Sequence, residues 1–108
     1  MRVGRFNVSY KCIDVAGMER LLSSGAIQLI DVRDSSAFSE AAMKGAQNIN
    51  YNNFRQFMKV TPKETPIIVY CYHGHASKEM AQMFVDFGYQ EVYSLDGGYE
   101  GWRLSQQG

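Results

Sequence analysis

The chain has 108 residues, 45% of them hydrophobic, with 11 basic and 11 acidic side chains and a formal net charge of zero. This suits one packed domain over residues 1–108, with a core from about 10 to 105, and is too short for two. Neutral charge gives no ground for binding nucleic acid or an anionic membrane, and no run approaches the roughly 18 apolar residues of a membrane helix.

Two cysteines, Cys12 and Cys71, do not make a disulfide framework. The start, Met1 to Lys11, carries Arg2, Arg5 and Lys11 without an apolar h-region, so it does not read as a signal peptide. These features together predict a reducing, cytoplasmic setting. Repeats, linkers and low-complexity stretches are absent from the pattern.

Strand-like and helix-like segments alternate instead. Tyr10–Ile13 reads as a short strand. Asp14 is an N-cap for a helix with Val15, Met18, Leu21 and Leu22 on one face, stopped by Gly25. Ile27–Val32 is a strand, and Asp34, Ser35 or Ser36 caps a helix holding Ala37, Phe38, Ala41 and Ala42. Gln47–Ile49 is a short strand. Tyr51, Phe54, Phe57 and Met58 recur at helical spacing over Asn50–Val60. Pro66, tolerated at a first strand position, opens the run Ile67-Ile68-Val69-Tyr70. A helix opened by Ser77 continues to Phe87 before Gly88. Glu91–Leu95 is the last strand, and Tyr99 and Trp102 mark a closing helix that starts near Asp96-Gly97-Gly98.

This alternation predicts an α/β fold with a mostly parallel sheet. Ligands bind at the carboxyl ends of the strands in such folds. Cys71, Asp31 to Arg33 and Asp96 to Gly98 all follow strands, so one rim brings them together.

Cys71 is the residue that points to chemistry. It ends a strand and begins the loop Tyr72-His73-Gly74-His75-Ala76 before a helix, where amides and the helix dipole favour an anion. A free thiol with a pKa of about 8.5 is only about 3% ionised at pH 7. A pKa near 6.5, in the range of helix N-termini, makes about three quarters of it the nucleophilic thiolate. A buried core cysteine is the alternative reading.

Several segments together resemble the rhodanese family. They are Leu29-Ile30-Asp31-Val32-Arg33-Asp34, Phe38 followed by Lys44-Gly45-Ala46-Gln47-Asn48-Ile49, the Cys71 loop, and Leu95-Asp96-Gly97-Gly98-Tyr99-Glu100-Gly101-Trp102. The loop Cys71-Tyr72-His73-Gly74 with Ser77-Lys78 is similar to that of the small single-domain thiosulfate sulfurtransferases. The resemblance implies a three-layer domain, a central five-stranded sheet with helices on both faces. It also implies a persulfide on Cys71, formed from a donor such as thiosulfate and passed to a thiophilic acceptor: cyanide, or a thiol or dithiol such as thioredoxin. No cofactor is implied. Two positions depart from the family pattern. Ala41-Ala42-Met43 stands where Gly-His is common, and His75-Ala76 stands where the single-domain type has Asn-Ser. The second removes a hydroxyl at Ala76.

In the loop, amides from Tyr72 to Ser77 would hold the sulfur charge, and Gly74 lets the backbone turn inward. His73 and His75 either offer positive charge to an anionic donor or are exposed loop residues. Cys71, His73 and His75 lack a fourth partner for zinc, so no metal is expected. Lys78 either steers anions or is a solvated first-turn lysine. Asp31 and Arg33 are expected to support the rim through an ion pair, Gly97-Gly98 to form a strand-to-helix turn, and Cys12 to lie in the core. Two other functions compete. A cysteine phosphatase needs a longer loop closed by Arg, but Ser77 stands six after Cys71 and no Arg lies between Arg55 and Arg103. A non-catalytic interaction module retaining the fold is the other.

Overall fold

The alternating pattern resolves into ten elements in a computed structural model that describes residues 9–107. Most of the Met1–Lys11 segment lies outside the described residues. The strands are β1 (Lys11–Ile13), β2 (Gln28–Asp31), β3 (Gln47–Asn48), β4 (Ile67–Tyr70) and β5 (Val92–Leu95). The helices are α1 (Val15–Ser24), α2 (Ser35–Glu40), α3 (Phe54–Val60), α4 (Ala76–Asp86) and α5 (Gly98–Ser105). The sheet order is β1-β5-β4-β2-β3, and every pairing is parallel. Among the described residues, no helix is long and apolar enough to cross a membrane.

β4 is central, and its four residues are fully buried, which is why it reads as a continuous apolar run rather than an alternating one. Successive side chains still go to opposite faces. Ile67 and Val69 pack with Phe54 and Phe57 of α3 and Met80 and Phe84 of α4. Ile68 and Tyr70 pack with Met18 of α1, with Tyr99 and Trp102 of α5 against the same cluster. Helices thus cover both faces, as the family resemblance implies.

Four local readings are corrected. α2 ends at Glu40, so Ala41 and Ala42 lie beyond it; Ala41 is already extended at φ −164°. α3 starts at Phe54, not Asn50, because asparagine side chains form a competing turn. Asn50 Oδ1 accepts from the amides of Asn52 (2.8 Å) and Asn53 (3.1 Å), and Asn53 Oδ1 accepts from Asn50 N–H (2.8 Å). α4 starts one residue early, at Ala76. Cys12 is exposed rather than core, because β1 is a three-residue edge strand.

The turn after β5 locks the rim. Gly97 and Gly98 both take positive φ, 78° and 58°. A Cβ on Gly98 would lie 2.6 Å from the Cys71 carbonyl oxygen and 2.7 Å from that of Tyr72. Those carbonyls accept from the amides of Tyr99 (2.7 Å) and Glu100 (3.0 Å). Gly98→Ala is therefore expected to lose about 2–4 kcal/mol, from a left-handed alanine and a backbone clash. Gly101→Ala meets only ordinary contact, 3.8 Å from the Asp96 carbonyl oxygen, and should be neutral or slightly stabilising. Urea unfolding of the two variants checks this, and equal losses would overturn it.

Candidate active site

The chain leaves the sheet at Cys71 because the next residues must turn over the end of β4 to enter α4. Gly74 makes that turn at φ 101°, pressed so closely on the β5–α5 junction that a Cβ would lie 3.1 Å from Gly97 N and 3.3 Å from Leu95 O. The turn folds the Gly74 amide back to donate to Cys71 Sγ at 3.1 Å. Ser77, fully buried in the first turn of α4, brings its hydroxyl to 3.4 Å from the same sulfur. The hydroxyl that reaches the sulfur is thus that of Ser77, not one at position 76.

Cys71 is only 3% exposed. Burial by itself pushes the thiol pKa up, but the Ser77 hydroxyl and the amides of Ser77, Gly74 and His73 outweigh it, leaving the thiol below its ordinary value. None of these groups is a basic side chain. The depression outside the sulfur, lined by Cys71, Tyr72, His73, His75 and Ala76, holds about 200 Å³. That is below the roughly 300–1,000 Å³ of pockets for drug-sized ligands and suits a small donor.

Asp31 and Arg33 form a buried ion pair beside this loop. Arg33 Nη2 donates to Asp31 Oδ2 at 2.7 Å, Arg33 Nε to the same oxygen at 3.0 Å, and the Arg33 amide to Asp31 Oδ1 at 2.8 Å. Arg33 Nη2 also donates to the Ala41 carbonyl. The guanidinium lies 4.1 Å from the Tyr99 ring centroid, a cation–π contact. Burial opposes its charge, but Asp31 holds the Arg33 pKa above the ordinary value. Asn48 Nδ2 donates to the carbonyls of Asp31 (3.0 Å) and Arg33 (2.9 Å). Tyr72 fixes the loop from outside, its hydroxyl donating to Asp34 Oδ1 at 2.6 Å.

The structure brings Cys71, Gly74 and Ser77 into contact and sets Asp31 and Arg33 beside the loop. Tyr72, His73, His75, Ala76 and Lys78 are exposed. Among the described residues, no group of three or more His, Cys, Asp or Glu side chains is placed to hold a metal ion. Sequence reasoning missed Ser94, whose hydroxyl lies 2.8 Å from that of Ser77. Its signal was a polar residue in the otherwise apolar strand Val92-Tyr93-Ser94-Leu95. It also missed Asn48 and Asp34, whose contacts join residues 15–38 positions apart.

A family model for the rhodanese-like domain matches residues 14–105. The thiosulfate sulfurtransferase GlpE of Tolumonas auensis is 41% identical over 91 residues, covering 84% of this chain and 86% of that protein. The protein of the same name from Shewanella oneidensis is 34% identical over 94 residues, covering 87% and 93%. The solution structure of a rhodanese-like domain from Anabaena matches with a TM-score of 0.78 at 21% identity, covering 87% of this chain and 74% of that one, which speaks to the fold alone. With a family model spanning most of its length, relatives above 30% identity and a sheet of the same kind, the chain belongs to the rhodanese-like domain family.

Proposed function

We propose that this rhodanese-family sulfurtransferase takes sulfane sulfur from thiosulfate and carries it as a persulfide on Cys71. The observation that carries the reading is a buried thiol held by the Gly74 amide and the Ser77 hydroxyl with no basic side chain on it. The relatives' printed name, thiosulfate sulfurtransferase, supports the donor.

In the first step the Cys71 thiolate attacks the outer sulfur of thiosulfate. The S–S bond of the donor breaks, and sulfite leaves with the electron pair. The product, Cys71–S–S⁻, keeps its negative charge on the terminal sulfur, within reach of fixed loop donors that need no reorganisation. In the second step an acceptor attacks that sulfur and restores the thiolate. Cyanide leaves as thiocyanate. A dithiol such as reduced thioredoxin first becomes a persulfide, and its second thiol then closes a disulfide and expels hydrosulfide. A cytoplasmic setting keeps Cys71 and such an acceptor reduced. Lys78 and the two exposed histidines are offered only the minor role of attracting the donor anion. A phosphatase is disfavoured because Ser77 stands where an arginine would be needed.

Incubation with thiosulfate should add one sulfur atom to the Cys71 peptide in a mass spectrum and release sulfite. Cys71→Ser should reduce both to background, whereas Cys12→Ser should leave most of the activity. Retained turnover in Cys71→Ser would sink the mechanism.

Because the Cys71 pKa is held down, its rate of alkylation by iodoacetamide should rise with pH to a midpoint below the free-thiol value of about 8.5. A midpoint at or above that value would mean that the loop does not stabilise the anion.

Loop length should matter more than the histidines. One residue added after His75 widens the ring of donors, and persulfide formation should fall by about 10² or more, as when a single oxyanion donor is lost. His73→Ala and His75→Ala should mainly raise the apparent KM for thiosulfate with little change in kcat. Sulfite release by the three variants, each checked for folding by circular dichroism, decides the matter. A harmless insertion beside a crippling histidine substitution would give a histidine the chemical role instead.

A further inference from the structure

Cys71, Ser77 and Ser94 form a buried chain of three side chains drawn from the end of β4, the first turn of α4 and β5. Sγ of Cys71 lies 3.4 Å from Ser77 Oγ, which lies 2.8 Å from Ser94 Oγ. Ser77 and Ser94 are 0% and 1% exposed, so bulk water does not reach them. Among the described residues, the Ser94 hydroxyl has no hydrogen-bond partner besides Ser77.

Counting protons fixes the direction of this chain. Three atoms in a row make two hydrogen bonds. With a neutral thiol the row carries three protons, so one of them has no acceptor within the row. With a thiolate it carries two, and one arrangement uses both: Ser94 donates to Ser77, and Ser77 donates to the sulfur. The reverse orientation leaves the anion without the hydroxyl proton and the Ser94 proton without an acceptor.

We propose that Ser94 is a positioning residue: its hydroxyl donates to Ser77 Oγ and so directs the Ser77 proton at the Cys71 sulfur, favouring the anion. The proposal rests on the reading of Cys71 as the nucleophile. It differs from a purely structural role, in which Ser94 only fills space beneath α4. Bonds in such chains polarise one another, so removing the far donor weakens the near one. The charged and titratable groups on neighbouring segments, Asp31 of β2 and Arg33 after it, Asp96 after β5, and His73, His75 and Lys78 of the loop and α4, are unchanged by substitution at Ser94.

The experiment measures the pH midpoint of iodoacetamide alkylation at Cys71, read on the Cys71 peptide by mass spectrometry, for four variants. Ser77→Ala should raise the midpoint by about one pH unit, as loss of a hydrogen bond to an ionised group. Ser94→Ala should raise it by about half a unit, as loss of orientation and polarisation. The double variant should match Ser77→Ala alone, and Ser94→Thr, which keeps the hydroxyl, should stay near wild type. An unchanged midpoint in Ser94→Ala would overturn the proposal. So would a double variant that shifts further than Ser77→Ala by the Ser94 increment. If Ser94→Ala does not fold, Ser94→Cys keeps the volume with a weaker donor, and there too an unchanged midpoint overturns it. Absence of a persulfide after thiosulfate treatment of the wild type would instead overturn the sulfurtransferase reading, and the midpoints would still decide the role of Ser94.

Discussion

The whole rim is organised around one constraint: the Cys71 thiol is held below its ordinary pKa where water scarcely reaches and no basic side chain contacts the sulfur. Full burial raises an acid's pKa by up to about 3–5 units, or about 4–7 kcal/mol at 1.36 kcal/mol per unit. A hydrogen bond to a charged group returns about 1.5–3 kcal/mol. Several donors acting together can therefore reverse the sign: the Gly74 amide and the Ser77 hydroxyl contact the sulfur directly, and the amides of Ser77 and His73 also favour the anion. A single bond would not suffice. This is why the site needs a tight loop rather than one well-placed residue.

Amides can face inward only if their carbonyls face outward. The peptide unit is planar and trans, so the C=O of one residue and the N–H of the next point in opposite directions. The Tyr72 carbonyl is drawn away by the Glu100 amide, and the Cys71 carbonyl by that of Tyr99. Holding the Tyr72 carbonyl there commits the His73 N–H to the sulfur side. The first turn of α5 thus sets the orientation of the loop donors through its backbone amides. Gly98 permits it, because no other residue brings backbone so close to backbone at positive φ.

Much of the fold was legible because it rests on local pattern. Asp14 caps α1 as its side chain and position suggested, accepting from the Gly17 amide at 2.8 Å. The apolar run before Cys71 is the central strand, and the alternation of elements gave the parallel sheet. What was not legible depends on contacts between distant segments. The hydroxyl of Ser94 matters only once β5 lies beside β4 and α4 packs over both; a polar residue in an apolar strand marks the position but not its partner. Cys12 was misjudged because its composition suits a core while its strand lies at the sheet edge. The start of α3 was misread because Asn50 and Asn53 satisfy their own backbone in a turn, a competition that apolar spacing does not register.

In the proposed reaction substrate class rests on the backbone rather than on charge, and Arg33 shows why. It is a cation beside the loop, its guanidinium 5.7 Å from the Tyr72 ring centroid. Yet its Nε and Nη2 bind Asp31, Nη2 also binds the Ala41 carbonyl, and its face rests on Tyr99. Holding a phosphate dianion would require an arginine whose fork is free for bidentate contact. Releasing Arg33 for that task would leave Asp31, fully buried, without its partner, the change that makes breaking a buried pair destabilising by about 3–5 kcal/mol. Nor does the Ala41-Ala42 departure disturb this arrangement, since Arg33 uses only the backbone oxygen at Ala41. The buried charge therefore keeps the rim in shape, and in the proposed reaction selection of the anion falls to amides and one hydroxyl matched to a single sulfur.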